Sequence, residues 1–405
     1  MADIPSLVDR HDRWRGESCL NLQPSENLVS PQVKRALGSD LAGRYTLPWK
    51  AEYHGAHLEN AYGGTRYLDE IEAAGEALAR KLFDARNASL KPLSGHIAAV
   101  LLLLSTCRKR DRVLIVDSKH GGYDGYMPEY IPSLLGLDLK VDFLPFREDA
   151  GRVDPAKAAK KIRTAKPTLV VLGASFLAFP YEVPPLREAA DEVDALIGYD
   201  GSHVLGLVAG GVFQRPLPEG ADILVGSTHK SLFGPQGGLF LTNRDDLFDR
   251  AKENMLWRLF DNAHWNRIAG VAQALAETQE FGGSYAPQVV KNAKALARAL
   301  DERGLPVKFK EFGYTESHQV HLDEAGMKHG LRMTPQEFSS AMERNNLIVD
   351  AVGRLGTNEV TRLGATERDM ADVADLMALV VAGKSVKEEV LALRSRLKLS
   401  YAFPA

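Results

Sequence analysis

A lysine set among small hydroxyl residues and closed by a glycine-rich exit is the side chain best placed for covalent chemistry. The stretch reads Gly226-Ser227-Thr228-His229-Lys230-Ser231-Leu232-Phe233-Gly234-Pro235-Gln236-Gly237-Gly238. It follows an apolar run, Ile223-Leu224-Val225, and leads into another, Leu239-Phe240-Leu241. Both read as buried strands. A cation at the end of a core strand is costly unless its charge is lost or paired. A lysine desolvated in this way can lose its proton near neutral pH and attack a carbonyl, forming a Schiff base. Upstream, Gly198-Tyr199-Asp200-Gly201-Ser202-His203 puts an acid at the end of another apolar run. Taken singly, Lys230 reads as a snorkelling surface residue and Asp200 as a helix cap. Together, in one alternating strand and helix pattern, they are the pair that pyridoxal phosphate needs: a lysine for its aldehyde and a carboxylate for its pyridinium nitrogen.

From residue 88 onward apolar runs alternate with helical segments. Candidate strands are Ser89-Leu90, Val113-Leu114-Ile115-Val116, Val141-Asp142-Phe143-Leu144, Leu169-Val170-Val171-Leu172 and Ala195-Leu196-Ile197-Gly198, and the two runs flanking Lys230 complete the set. Continuous apolar strands between helices predict an α/β fold with a mostly parallel, seven-stranded sheet covered on both faces. Ligands in such sheets sit beyond the carboxyl ends of the strands. There the sequence places Ser94-Gly95-His96, His120-Gly121-Gly122, Ser175, Asp200 and Lys230. After about residue 275 the texture changes. Amphipathic helices over 287–302, 366–382 and 386–397 alternate with short strands, Val307-Lys308-Phe309 and Leu347-Ile348-Val349, which reads as a smaller α+β domain. Thr366 suits an N-cap there. Residues 1–44 read as an N-terminal arm in which Ser25 and Ser30 both suit helix starts. The expected organisation is this arm, a large cofactor domain over 45–275 and a small domain over 276–405.

Bulk properties exclude several classes. The 405 residues carry a net charge of −3, with 45% hydrophobic and 25% charged content, so no electrostatic footprint points to nucleic acid or an anionic membrane. The start, Met1-Ala2-Asp3-Ile4-Pro5, has no signal-peptide h-region, and the longest apolar run, 98–104, is too short to span a bilayer. Two cysteines, Cys19 and Cys107, are too few for a disulfide framework or a zinc site. The expectation is a reduced, cytoplasmic enzyme acting on a small molecule.

The motifs resemble the serine hydroxymethyltransferase family of fold-type-I pyridoxal-phosphate enzymes over nearly the whole chain. They are Pro24-Ser25-Glu26-Asn27; Ala61-Tyr62-Gly63-Gly64; Leu93-Ser94-Gly95; His120-Gly121-Gly122; Asp200 through Leu207; and Ser227 through Gly238. The resemblance implies that Lys230 carries the cofactor as an internal aldimine and that Asp200 holds the pyridinium proton. It implies that His120 stacks on the ring, and that Ser175 and His203 hydrogen-bond around the 3-oxygen. Ser94, Gly95 and His96 would open a helix whose N–H groups suit the phosphate, with His229 close by. Arg354, helped by Ser25, would clamp the substrate carboxylate, since a guanidinium fork matches it bidentately. Tyr45 and Tyr62 would sit near the substrate, Tyr45 reaching in from another subunit. Sites shared in this way imply a homodimer, or a dimer of dimers.

The departures bear on the substrate. Two residues after the tyrosine matching Tyr45, the folate-using family has a glutamate that serves folate binding and proton transfer; this chain has Leu47. The family's long loop before the carboxylate arginine is nearly absent, since Val349-Asp350-Ala351-Val352-Gly353 runs straight into Arg354. The partner-lent glycine-rich phosphate turn is replaced around Asp261-Asn262-Ala263-His264, Ala99 stands for an asparagine, and Gln236 for the usual arginine. The loop from Tyr45 to Gly63 is longer than the family's and brings Glu52, His54, His57 and Glu59. His54, His57 and His264 could form an acid–base or metal cluster in place of the glutamate; the plainer reading is a hydrogen-bonded loop. His11, His318, His321 and His329 read as structural or surface residues. The expected activity is to make or break the Cα–Cβ bond of a β-hydroxy-α-amino acid without folate, as an aldolase or transaldolase. Alternatives are glycine/serine hydroxymethyl transfer with a folate or other pterin, another fate of the same amino-acid adduct (transamination, racemisation, decarboxylation or β-elimination), and a non-catalytic binding protein.

Overall fold

Seven apolar runs assemble into one sheet. The strands are β1 (Asn87–Ser89), β2 (Arg112–Ile115), β3 (Lys140–Phe143), β4 (Leu169–Gly173), β5 (Leu196–Asp200), β6 (Ile223–Ser227) and β7 (Gly238–Thr242). Their order across the sheet is β1-β7-β6-β5-β4-β2-β3. Neighbours pair in parallel except β7, which runs against both β6 and β1. The computed structural model describes residues 3–46, 48–53, 56–60 and 62–404, with the backbone alone at 48–53 and 56–59.

Strand alternation explains why the runs are apolar throughout. Leu114, Val170, Leu172, Ile197, Tyr199 and Leu224 face one core, while Val113, Ile115, Leu169, Val171, Ile223 and Val225 face another. Each fully buried Val or Leu contributes about 1.5–3 kcal/mol, so a polar residue on either face would be costly. The helix Gly95–Thr106 is buried nearly all round on the second face, which is why its sequence has no polar stripe.

The C-terminal region forms a third core. One helix of 38 residues, Trp265–Glu302, belongs to both halves of the chain. Ile268, Val271, Leu275, Tyr285 and Val289 pack into the sheet domain, and Ala293, Leu296, Ala297 and Leu300 into the small one. The boundary expected at 275/276 therefore falls inside a helix. Pro287, taken from sequence as a helix start, lies within it. A mid-helix proline costs about 3 kcal/mol, and burial of Tyr285, Ala286 and Val289 around it offsets that cost. The N-terminal arm also joins the small domain: Leu20–Asn21 pairs in parallel with Leu347–Ile348, and Leu20 and Leu22 enter its core. Ser30 caps the helix Pro31–Leu37 through the Val33 N–H, whereas Ser25 lies in a turn. Thr366 closes on Asp369 as the expected cap. The strand expected over 307–309 is reduced to a single bridge, Val307 to Leu322, because Phe309 turns left-handed with φ 63°.

A fully buried ion pair joins four parts of the chain. The Glu277 carboxylate accepts from Arg362 and from the Ser30 hydroxyl, and the Arg362 guanidinium lies 3.7 Å from the Phe233 ring centroid. Glu277→Ala would leave the guanidinium buried and unpaired. A loss of about 3–5 kcal/mol is expected, read from the urea midpoint.

Candidate active site

Asp200 ends β5 and Lys230 follows the end of β6, near enough for the carboxylate charge to act on the lysine. The turn carrying Lys230 is tied at several points. Thr228 Oγ1 donates to the Pro235 carbonyl (2.6 Å), the Gly234 N–H to the Thr228 carbonyl (2.8 Å), and Ser231 Oγ to the His203 carbonyl (2.6 Å). Asn27 of the arm donates to the Lys230 carbonyl (2.8 Å) and to the Tyr285 hydroxyl (3.0 Å), locking the arm onto the loop. Burial pushes the Lys230 ammonium down to about 8; Asp200 opposes that fall and the Arg354 charge adds to it. About a tenth of this lysine is then the free amine at pH 7, far more than for a lysine at its ordinary value.

Asp200 is held by groups on both oxygens. Oδ1 accepts from the Ser202 N–H (3.0 Å) and hydroxyl (2.6 Å), and Oδ2 from the Tyr126 hydroxyl (2.9 Å). Tyr126 is buried, and burial with the Asp200 charge keeps its hydroxyl protonated.

Ser94 caps the helix Gly95–Thr106, accepting from the Ile97 N–H (3.1 Å). A Cβ at Gly95 would lie 2.7 Å from Ser227 Cβ, so only glycine lets this helix start close against β6. His96 is exposed and bonds through Nδ1 to the Tyr123 hydroxyl (2.6 Å). His229 is held neutral, its pKa pushed down to about 4 by burial and the Lys230 charge. Its buried Nδ1 has no partner among the described residues. His120 ends a short turn and stacks on Phe146, centroids 4.7 Å apart. The following glycines are required: a Cβ at Gly122 would sit 2.0 Å from the Val116 carbonyl oxygen. The Gly121 carbonyl accepts from the Ser175 N–H (2.7 Å), which brings the His120 and Ser175 loops together.

Arg354 reaches this loop from the small domain. Its Nη1 donates to the Ser175 carbonyl, its Nε to Asp350 Oδ2 (2.7 Å), and its guanidinium lies 4.6 Å from the Phe176 ring centroid. Asp350 Oδ1 also accepts from the Val352 and Arg354 N–H groups, so the short 349–353 segment closes as a tight turn. Of the histidines read as structural or surface residues, His318 and His321 are buried here. His318 bonds the Pro24 carbonyl (3.0 Å) and stacks beside His203, and His321 bonds Gln319 (2.8 Å). Ser25 follows Pro24 in the same turn.

Tyr45 and Tyr62 form a separate, exposed pair with centroids 5.1 Å apart. The Tyr45 hydroxyl bonds Asp261, which pushes its pKa up to about 12, and Asn262 donates to the Arg44 carbonyl (3.1 Å). His264 and Gln236 line an open cavity of about 1070 Å³ together with His229. Leu47, His54 and the side chain of His57 lie outside the described residues. Among those described, no group of three or more His, Cys, Asp or Glu is placed to hold a metal. Cys19 and Cys107 are free and buried, and among the described residues no helix is long and apolar enough to cross a membrane.

The sequence profile described as Serine hydroxymethyltransferase matches residues 3–377. The chain belongs to the serine hydroxymethyltransferase family. A serine hydroxymethyltransferase of Methanothermobacter marburgensis is 39% identical over 417 residues, spanning 99% of this chain and 95% of that one. One from Pyrococcus abyssi is 37% identical, spanning 95% and 91%. A solved structure of L-threonine transaldolase from Pseudomonas fluorescens, in its internal aldimine state, superposes with a TM-score of 0.87 at 26% identity, covering 99% of this chain and 93% of that one. This serine hydroxymethyltransferase-family protein is a fold-type-I, pyridoxal-phosphate-dependent enzyme of the transferase or aldolase type acting on amino acids.

Sequence reasoning missed four residues of this cluster: Tyr126, Gln319, His321 and Asp350. Asp350 carried a usable signal, because an acid four residues before an arginine across a turn glycine can close back on it. Tyr126 sits in an irregular turn where no periodicity marks a buried face.

Proposed function

We propose that this enzyme makes or breaks the Cα–Cβ bond of a β-hydroxy-α-amino acid without folate, as an aldolase or transaldolase. The observation that carries the reading is the contrast around Arg354. The guanidinium that suits an amino-acid carboxylate is braced by Asp350 and Ser175. The segment before it, where the family's folate-holding loop belongs, is the five-residue turn over 349–353, and Leu47 replaces the family's glutamate.

The cluster suits the cofactor. Lys230 supplies an amine of lowered pKa, Asp200 a carboxylate for the ring nitrogen, and Ser94, Gly95 and His96 a helix N-terminus for the phosphate. The unpartnered Nδ1 of His229 is a polar atom awaiting a ligand. His120, stacked on Phe146, would offer its ring to the cofactor, and Ser175 and His203 would hydrogen-bond around the 3-oxygen. Bound there, pyridoxal phosphate draws electron density from the substrate Cα. Arg354 and Ser25 hold the substrate carboxylate. In the cleavage direction the β-hydroxyl proton passes to His120, or to a histidine of the 45–62 loop, as the Cα–Cβ electron pair moves to Cα and the aldehyde departs. Tyr45 and Tyr62, exposed and apart from this cluster, would serve the site of a second copy in a cytoplasmic homodimer or dimer of dimers.

Two results are expected. Purified enzyme should release an aldehyde from a threonine-type substrate at a rate unchanged by tetrahydrofolate; dependence of that rate on the carrier would count against the proposal. Capture of added pyridoxal phosphate by cofactor-free protein should speed up as pH rises to about 8 and level off above it, because only the unprotonated amine attacks. A lysine at its ordinary value would still be gaining rate at about pH 10.

A second reading, hydroxymethyl transfer between serine and glycine with a folate or other pterin, is favoured by the names of the archaeal relatives. Under that reading Leu47 is a tolerated change and the carrier stimulates turnover.

A further inference from the structure

We infer that Gln319 is a positioning residue that locks the imidazole of His203 with its proton on Nε2, making His203 a fixed hydrogen-bond donor. Nothing in the motifs marks Gln319. It opens a short strand, Gln319–His321, that pairs antiparallel with Arg354–Gly356, the strand that Arg354 begins. It is fully buried, and all four hydrogen-bonding positions of its amide are used. Oε1 receives the Leu177 N–H (3.0 Å) and His321 Nε2 (2.8 Å). Nε2 donates to the Ser175 carbonyl (3.1 Å) and meets His203 Nδ1 (2.9 Å).

These partners remove the usual ambiguity about which end of the amide is oxygen. A backbone N–H only donates, so the atom facing Leu177 must be the oxygen. A backbone carbonyl only accepts, so the atom facing Ser175 must be the nitrogen. With that orientation fixed, His203 Nδ1 faces an N–H and can only accept. A neutral imidazole whose Nδ1 accepts carries its proton on Nε2. Burial, with the charges of Lys230 and Arg354 added, favours that neutral form, and His318 and His229 oppose a second charge from their sides. His203 is anchored at its other end as well, where its carbonyl accepts from Ser231, the residue after Lys230.

The same amide couples the two halves of the site. Gln319 and Arg354 both donate to the Ser175 carbonyl. The loop that carries Ser175, the imidazole of His203 and the guanidinium of Arg354 are thereby set by one side chain from the small domain. The consequence for ligand binding rests on the proposed place of His203 beside the cofactor; the tautomer does not.

The test uses 15N-histidine-labelled holoenzyme, with the His203 signals assigned by their loss in His203→Asn. The nitrogen shifts should show Nδ1 unprotonated and Nε2 protonated. In Gln319→Glu a carboxylate that can only accept faces Nδ1, so a proton should appear there. A wild-type His203 protonated at Nδ1 would overturn the inference without any variant, as would a Gln319→Glu spectrum identical to wild type. Gln319→Leu, which removes the donor, should weaken pyridoxal phosphate binding about tenfold. Unchanged affinity alongside the expected nitrogen shifts would retire the contact between His203 and the cofactor while leaving the Gln319 assignment standing.

Discussion

Lys230→Ala is expected to yield a protein in which borohydride fixes no pyridoxal phosphate to the chain, with turnover lower by about 10³-fold or more. The expectation follows from two features of the site. Among the described lysines, Lys230 is the one that burial has brought into the range where it attacks a carbonyl near neutral pH, its value pushed down to about 8. The turn that presents it is held through backbone and hydroxyl groups, including the Lys230 carbonyl bonded by Asn27, so truncating the side chain leaves those bonds in place. The variant should therefore fold, with an unfolding midpoint close to wild type. Removal of a buried lysine that lacks a close ion-pair partner costs little or stabilises. A borohydride-fixed adduct that persists in Lys230→Ala would place the reactive lysine elsewhere.

Arg354→Lys carries the second largest expected effect. A planar guanidinium can give a carboxylate two parallel hydrogen bonds, and an ammonium cannot. Charge-assisted bonds of this kind contribute about 1.5–3 kcal/mol each, and losing one of the two should lower kcat/KM for the amino acid by about 10²-fold. The loss should lie mainly in KM, because the carboxylate is held alike before and during reaction. The cofactor band should stay, since Arg354 touches the Ser175 backbone and Asp350 rather than Lys230 or Asp200. An Arg354→Lys enzyme with unchanged KM would remove Arg354 from substrate binding.

Much of this site was legible because strand periodicity and strand ends are both written locally. Continuous apolar runs such as Leu169–Gly173 and Ile223–Ser227 mark parallel strands buried on both faces, and the first polar residue at or just after the end of each, Ser175 and Ser227, marks the edge of the sheet. Lys230 and Asp200 stand out on that ground as a pair, since each alone reads as a surface lysine or a helix cap. What stayed hidden depends on partners distant in sequence. Gln319 and His321 look like the outward face of a short strand, and only the approach of Ser175 and His203 makes them buried and hydrogen-bonded. Pro287 reads as a helix start by its own chemistry, and packing on both domains overrides that preference. The arm looked like a lead-in segment, yet Leu20 and Leu22 complete the small domain's core and Asn27 reaches the lysine loop.

The claim that the amino-acid machinery works without the one-carbon carrier is tested most directly by a visible spectrum of the holoenzyme. Glycine, serine, threonine and alanine would be added in turn, each with and without tetrahydrofolate. A long-wavelength band that forms with glycine alone, and an aldehyde released from threonine, both indifferent to the carrier, are the predicted results. A band that forms only when tetrahydrofolate is present would contradict the claim.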